Sequence, residues 1–262
     1  MKLFDTFTYS DTRTDADLDN LAWFGVERVV TCAHAPRSFE TARDLWQYFE
    51  RLIGPERDRL ERAGLTPHVA IGVHPDAVPR RAHYEIWREL PHLLRDPAVS
   101  ALGELSLRDG GEREWSLVER QLRLLADLPV AKPAWISLSP QREARVRNRW
   151  LERLGATARG LGLDPELIVV QHTDWLTIDA AEAEGFTCGL SLSPFYATTA
   201  EALRIITHHD RRRVVLGSAL REGAVDVLAL PKLAAAARQA GIEQVELERV
   251  LYGNAMALLV RG

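Results

Sequence analysis

Short apolar runs alternate with longer amphipathic stretches along the whole chain. Most of the short runs are continuously apolar, and this pattern is typical of strands that are buried on both faces of a parallel sheet. The runs predict eight strands, at residues 2–7, 27–33, 68–73, 99–107, 133–139, 166–171, 186–193 and 213–218.

The stretches between these runs carry apolar residues at helical spacing. They predict helices at 15–25, 38–62, 116–127, 141–160, 178–184, 199–208 and 225–240, with one or two closing helices over 245–259. Gly54 and Pro55 are expected to interrupt the second helix. Eight strand–helix units in 262 residues predict a single domain, spanning residues 1–262, with the α/β fold of a (β/α)8 TIM barrel. The alternative is a doubly wound open sheet, but no glycine-rich nucleotide-binding motif follows the first strand.

Composition narrows the possible partners of this domain. A hydrophobic content of 46% and a charged content of 27% exclude a disordered chain. The net charge of -4 argues against nucleic acid as a partner and leaves a small-molecule substrate as the expected one.

No apolar run approaches the roughly 20 residues of a membrane helix. Cys32 and Cys188 are too few for a disulfide framework, and they favour a reducing, cytoplasmic location. Nothing in the sequence indicates an oligomeric state.

Active sites of barrels of this kind lie at the carboxyl ends of the strands, so the polar residues at those ends are the candidates for function. We predict catalytic roles for Tyr9, His74, Glu104 and His172. We predict that the residues that bind the substrate are Asp5, His34, Ser137, Asp174, Ser191, Ser218 and Arg221.

Glu104 is the most informative of these residues, because a carboxylate inside an apolar strand is costly unless it has a partner or a function. It could be a metal ligand or a general acid/base, or it could pair with Arg108. His172 could bind a metal, move a proton or bond to a loop carbonyl. His74 precedes a proline and is therefore expected in an extended conformation. Asp174 could orient His172 or cap a helix beginning at Trp175.

Several segments resemble one family when they are taken in order. They are FDTF (4–7), IGVHPD (71–76), ALGELSL (101–107), VVQH (169–172) and LYGNAMALL (251–259). This series resembles the TatD-like metal-dependent hydrolases of the amidohydrolase superfamily, which are (β/α)8 barrels. The segment GSALREGAVDVLALPK (217–232) resembles a subgroup encoded with secondary-metabolite genes. The resemblance implies one or two divalent ions, held by an H-x-H pair on strand 1, a Glu on strand 4, a His on each of strands 5 and 6, and an Asp on strand 8. In the family this centre activates water to hydrolyse phosphodiester, ester or amide bonds.

The chain departs from that ligand pattern at most positions. The H-x-H positions are Phe7 and Tyr9, and neither side chain is a good metal ligand. The strand 5 position is Ser137, and the strand 8 acid falls at Ala219 or Arg221. Only Glu104 and His172 match directly, so we expect a degenerate site with no metal ligand set and no cofactor, apart from weak binding of a divalent ion at these two residues.

Three hypotheses follow for the function. The first is a repurposed enzyme of specialised metabolism, in which Glu104 and His172 perform metal-independent acid/base chemistry on a small molecule. The second is a non-catalytic barrel that binds a metabolite or a protein. The third is a metal-dependent hydrolase whose site is rebuilt from Glu104, His172 and either His74 or His34.

Overall fold

The chain forms a closed barrel of eight parallel strands in a computed structural model, which describes residues 1–34, 38–81, 84–221, 223 and 226–259. The strands pair in sequence order from first to last. The (β/α)8 TIM-barrel prediction is therefore confirmed. The strands are Leu3–Thr8 (β1), Val26–Cys32 (β2), Thr66–Ile71 (β3), Val99–Leu107 (β4), Ala134–Leu138 (β5), Ile168–Gln171 (β6), Thr187–Ser191 (β7) and Val214–Gly217 (β8).

The barrel closes where the end of β8 meets β1. The Tyr9 amide donates to the Leu220 carbonyl at 2.8 Å, and the Ala219 amide donates to the Phe7 carbonyl at 2.9 Å. Gly217 makes this approach possible, because a Cβ at this position would lie 2.6 Å from the Cβ of Phe7. The closure brings the residues that follow β8 next to those that follow β1.

Helices surround the barrel, and most of them lie where the sequence predicts them. They are Asp15–Trp23 (α1), Ala42–Arg51 (α2), Arg57–Arg62 (α3), Tyr84–Arg95 (α4), Glu112–Ala126 (α5), Ala144–Gly160 (α6), Ile178–Ala183 (α7), Thr199–His208 (α8), Ala229–Gln239 (α9), Gln244–Glu248 (α10) and Asn254–Leu259 (α11). None of the helices in the described ranges is both long and apolar enough to cross a membrane.

Two parts of the helix prediction need correction. The sequence predicts no helix over α4, where Pro91 lies inside the helix and obscures the pattern. The helices α2 and α3 are joined by a π-helical turn, Leu52–Glu56, so Gly54 and Pro55 distort a continuous helix and do not break it. Val225, the predicted start of α9, lies outside the described residues.

The strands are buried on both faces, as the continuous apolar runs indicate. A smaller apolar cluster that includes Phe4, Phe7 and Trp135 fills the barrel interior, and a larger one packs between barrel and helices. The last helix closes the amino-terminal end of the barrel, where Asn254 donates to the carbonyls of Arg211 and Val214. The carboxyl-terminal end is thereby left as the open end.

Candidate active site

An open cavity of about 730 Å³ lies at the carboxyl ends of the strands. It is of the size that binds small molecules. Seven of the eleven predicted site residues line this cavity: Tyr9, His34, His74, Glu104, Ser137, His172 and Arg221. The other four, Asp5, Asp174, Ser191 and Ser218, are not among the lining residues.

Glu104 is buried in the wall of this cavity, and one described residue donates to its carboxylate. The Tyr9 hydroxyl donates to Glu104 Oε2 at 2.5 Å, and no described residue donates to Oε1. Burial, together with the Glu104 charge, raises the pKa of Tyr9 well above its usual value. Tyr9 therefore remains a neutral donor that fixes one carboxylate oxygen, while the other oxygen is left for a ligand or a water molecule. The predicted pairing of Glu104 with Arg108 does not occur, because Arg108 pairs with Asp76 at 2.8 Å.

His172 follows β6 with a φ of 62°, in the left-handed region that is unusual for a residue other than glycine. Its Nδ1 lies 2.8 Å from Ser191 Oγ, which in turn donates to Gln171 Oε1 at 3.3 Å. A serine that donates to Gln171 accepts from His172, so Nδ1 carries the proton and Nε2 carries the lone pair. Burial, with added repulsion from Arg221 and Arg147, lowers the pKa of His172 to about 3. The ring is therefore neutral near pH 7.

His172 does not contact Glu104 directly. Neither a hydrogen bond nor an ion pair joins the two side chains, although both line the cavity. The Phe7 ring packs against the partner of Glu104 and against His172, since its centroid is 5.3 Å from that of Tyr9 and 5.6 Å from that of His172. A ligand that used both residues would have to bridge them.

His34 and His74 line the same cavity, but each has a local partner. His34 Nε2 lies 3.1 Å from Asp11 Oδ1, and Asp11 also pairs with Arg51 at 2.7 Å. His74 Nδ1 accepts from the Asp76 amide at 3.1 Å and so caps a short 3₁₀ turn. His74 is extended before Pro75, as expected, with a ψ of 145°.

The four residues outside the lining have partners within the protein, and their role in binding the substrate stays a prediction. Asp5 accepts from the Ser218 amide and hydroxyl. The Ser191 hydroxyl forms a hydrogen bond with Nδ1 of His172. Asp174 pairs with Arg147 at 2.7 Å and accepts from the Leu176 amide. The helix that was expected to begin at Trp175 begins at Ile178, with Thr177 as its N-cap, so Asp174 orders the preceding turn.

Sequence reasoning missed Phe195 and Tyr196, two aromatic residues in the loop after β7 that line the cavity. The Tyr196 ring is stacked on His172, with the centroids 3.7 Å apart and the planes at 3°. The segment SPFYAT (193–198) directly follows a strand end, and an aromatic pair at that position was the available signal.

The side chains at the mouth do not fit the metal centre that the family resemblance implies. Phe7 at an H-x-H position is buried and apolar, and Ser137, at the strand 5 position, has a buried hydroxyl without a partner in the described ranges. Within those ranges, three His, Cys or carboxylate groups that offer ligand atoms within 4.8 Å of one another occur only at Asp179, Glu182 and His209. That group lies on α7 and after α8, towards the amino-terminal end of the barrel. An open catalytic site usually has three protein ligands, and two of the family's ligand positions hold a ligand residue here, Glu104 and His172.

Comparison with known proteins finds similar chains over nearly the whole length of this one. No family model matches the chain. The chain is 28% identical over 253 residues to an uncharacterized metal-dependent hydrolase of Methanocaldococcus jannaschii. The aligned region covers 97% of this chain and 98% of the relative. The crystal structure of a TatD-like protein of Archaeoglobus fulgidus matches with a TM-score of 0.79 and 22% identity, over 98% of this chain and 99% of the other. A TatD family hydrolase of Entamoeba histolytica matches with a TM-score of 0.67 and 15% identity, over 100% and 99%. The chain is thus similar, over nearly its whole length, to TatD-like proteins.

Proposed function

We propose that this protein is a hydrolase of the TatD-like kind that cleaves a small molecule in the cavity at the barrel mouth, with Glu104 as its general base. The observation that carries the proposal is the state of the Glu104 carboxylate. One of its oxygens is held by Tyr9, and the other has no partner among the described residues, in a residue that lines the cavity. A carboxylate oxygen that is free to accept a hydrogen bond in a cavity-lining residue can hold a water molecule and take its proton, so this arrangement favours a role in binding and activating water.

Each residue then has a definite part in the hydrolysis. Glu104 Oε1 accepts a hydrogen bond from a water molecule and takes its proton as the water oxygen attacks the carbonyl or phosphoryl centre. The bond to the leaving group breaks, and Glu104 returns the proton to the leaving atom. Neutral Tyr9 holds Oε2 throughout. The Nε2 lone pair of His172 accepts a hydrogen bond from the substrate or from the water molecule.

A metal-assisted form of the same reaction is the second candidate, and the comparison with the Methanocaldococcus jannaschii protein favours it. Glu104 and the neutral His172 would hold a single ion, which would supply Lewis-acid activation of water. Two protein ligands predict weak binding of such an ion. The metal-independent form rests on the donor set at the mouth, and the metal-assisted form rests on the likeness to a metal-dependent protein.

The range of substrates follows from the cavity and from one resemblance. A cavity of about 730 Å³ suits a small molecule. The resemblance of residues 217–232 to proteins encoded with secondary-metabolite genes supports a substrate from specialised metabolism. The non-catalytic barrel remains a separate prediction, and stabilisation by a ligand without any turnover would favour it.

The test measures hydrolysis and metal content on one preparation. Chelator-treated protein is assayed on a panel of aryl esters, anilides and phosphodiesters, and its metals are quantified by elemental analysis. Glu104→Gln should abolish hydrolysis of any substrate that the wild type cleaves, whereas Glu119→Gln, on the outer helix α5, should retain it. Full activity in Glu104→Gln would reject the role of this residue. Intact activity with less than about a tenth of an equivalent of metal would reject the metal-assisted form. Loss of activity on chelation, with recovery on adding zinc or manganese, would establish it.

A further inference from the structure

Arg221 lines the cavity that the proposed function uses, and its charge is not paired with any described residue. It follows β8, is partly buried and lines the cavity. Within the described ranges, no carboxylate lies at ion-pair distance from its guanidinium group. Arg108 lines the same cavity and provides the contrast, since it pairs with Asp76 at 2.8 Å and with Asp109 at 3.7 Å. An arginine that is left unpaired beside a cavity is available to a ligand.

The guanidinium group of Arg221 is held against aromatic rings. Its central carbon lies 4.9 Å from the ring centroid of Phe195 and 6.0 Å from that of Tyr196. Arg13 supports the backbone at this point, because its Nη1 donates to the Arg221 carbonyl at 2.7 Å, while its Nη2 pairs with Asp17 at 2.9 Å. A planar cation that is already ordered by stacking loses little freedom when it binds a planar anion.

This group also lies near the reacting end of the cavity. Tyr196 contacts Arg221 with its ring and is stacked on His172, so one side chain joins the two. The positive charge of Arg221 helps to lower the pKa of His172, and it is the largest cause after burial. A group bound at Arg221 would therefore lie beside Tyr196 and His172, in the cavity that Glu104 also lines.

A second lining residue also lacks a partner. Ser137 lines the cavity and is only 4% exposed, and its buried hydroxyl has no hydrogen-bond partner among the described residues. A buried hydroxyl of this kind is satisfied by a polar ligand or by water. Besides Glu104 Oε1, the mouth thus has two polar groups that lack a partner among the described residues, and one of them, Arg221, is cationic. An anion would be repelled from Glu104, so the Arg221 end of the cavity is the end that suits it.

We propose that the substrate carries an anionic group, a carboxylate or a phosphate, which binds the guanidinium of Arg221 on the Phe195–Tyr196 ring pair and sets the scissile bond beside Glu104. This inference rests on the proposed function, because it assigns the substrate class of the same site. It makes Arg221 a residue that determines specificity, and it predicts that neutral analogues bind poorly.

The experiment measures binding separately from turnover. Dissociation constants of benzoate, phenylphosphonate and the neutral isostere benzamide are determined by calorimetry on the full-length protein in a Glu104→Gln background, so that hydrolysis is not required. We expect the better anion to bind at least about tenfold more tightly than benzamide. Arg221→Gln should remove that preference, and Arg221→Lys should restore part of it, because lysine keeps the charge without the planar fork. Arg108→Gln is the matched control, and it should change the dissociation constants less than about twofold.

The two anions identify the source of the charge, since preference for benzoate indicates a carboxylate and preference for phenylphosphonate a phosphate. Equal binding of benzamide and both anions would overturn the inference, as would an unchanged preference in an Arg221→Gln protein whose melting temperature is that of the wild type. An equal loss in Arg108→Gln would also overturn it, because the effect would then come from the general charge of the mouth. Anion binding that depends on Arg221, in a protein without hydrolytic activity, would contradict only the proposed function.

Discussion

Two carboxylates are buried in the wall of the barrel, Asp5 on β1 and Glu104 on β4, and their hydrogen bonds differ. Asp5 is fully buried and accepts from the Ser218 amide at 2.9 Å, from the Ser218 hydroxyl and from the Phe7 amide at 3.3 Å. Among the described residues, only Tyr9 donates to the Glu104 carboxylate, and Glu104 lines a cavity. Both interrupt apolar strands in the sequence, so burial alone does not mark the functional one. The number of donors and access to the cavity separate a structural acid from a reactive one.

Replacing each acid by its amide should give the largest contrast. Glu104→Gln should lower kcat by about a thousandfold or more, because an amide cannot take the proton of the attacking water. Asp5→Asn should keep kcat within about threefold, since its oxygen can accept from the two amides and its nitrogen can donate to the Ser218 hydroxyl. Steady-state kinetics on a substrate from the hydrolysis panel measures both variants. Comparable losses in both would show that Asp5 belongs to the reacting site.

Asp5 should also make the free energy of unfolding depend on pH. Burial raises the pKa of Asp5 to about 6 in spite of its hydrogen bonds, whereas the ordinary value is 3.8. The folded state therefore favours the neutral acid. Its contribution to stability is fully present below about pH 4 and is lost as the pH rises through 6, a change of about 3 kcal/mol in the free energy of unfolding.

Asp5→Asn should remove this dependence. Urea denaturation of the wild type and the variant between pH 4 and 7.5 measures it, since the other titrating groups cancel in the difference between the two proteins. The variant should gain about 3 kcal/mol on the wild type over this range. Glu119→Gln, on the outer helix α5, serves as the control and should show no such trend. A difference between wild type and Asp5→Asn that is constant with pH would contradict the raised pKa of Asp5.

A smaller effect should follow from removing the hydroxyl that Asp5 accepts. Ser218→Ala leaves Asp5 Oδ2 buried without its donor, and we expect a loss of about 2 kcal/mol at pH 7.5. The loss should shrink at pH 4.5, where Asp5 is protonated. Ser191→Ala is the matched control, because it removes a buried serine hydroxyl that bonds to the neutral ring of His172, and its cost should be about 1 kcal/mol at both pH values. Equal losses of stability in the two variants, at both pH values, would show that the charge of Asp5 does not contribute to the cost of Ser218→Ala.

The sequence predicts the eight strands because burial on both faces leaves a local signal in each apolar run. It predicts seven of the cavity-lining residues because the carboxyl ends of parallel strands meet at one rim. The helix α4 is missed because Pro91 interrupts its pattern. The partners of Asp5 are missed for a different reason, since Ser218 lies 213 residues along the chain and meets Asp5 only when the barrel closes. Likewise, the stacking of Tyr196 on His172 depends on how the loop after β7 folds back over the mouth.

The smallest predicted effect concerns Tyr9, the one described residue that donates to the Glu104 carboxylate. Tyr9→Phe keeps the ring between Phe7 and His34 but removes the 2.5 Å hydrogen bond to Oε2. A carboxylate that is no longer held can rotate away from the water molecule, so we expect kcat to fall about tenfold with KM unchanged, which corresponds to about 1.4 kcal/mol. Tyr84→Phe, at an exposed tyrosine of α4, controls for the loss of a hydroxyl. A rise in KM at constant kcat would instead place the Tyr9 hydroxyl on the substrate, and Glu104 would then have no fixed oxygen to distinguish it from a carboxylate that is merely buried.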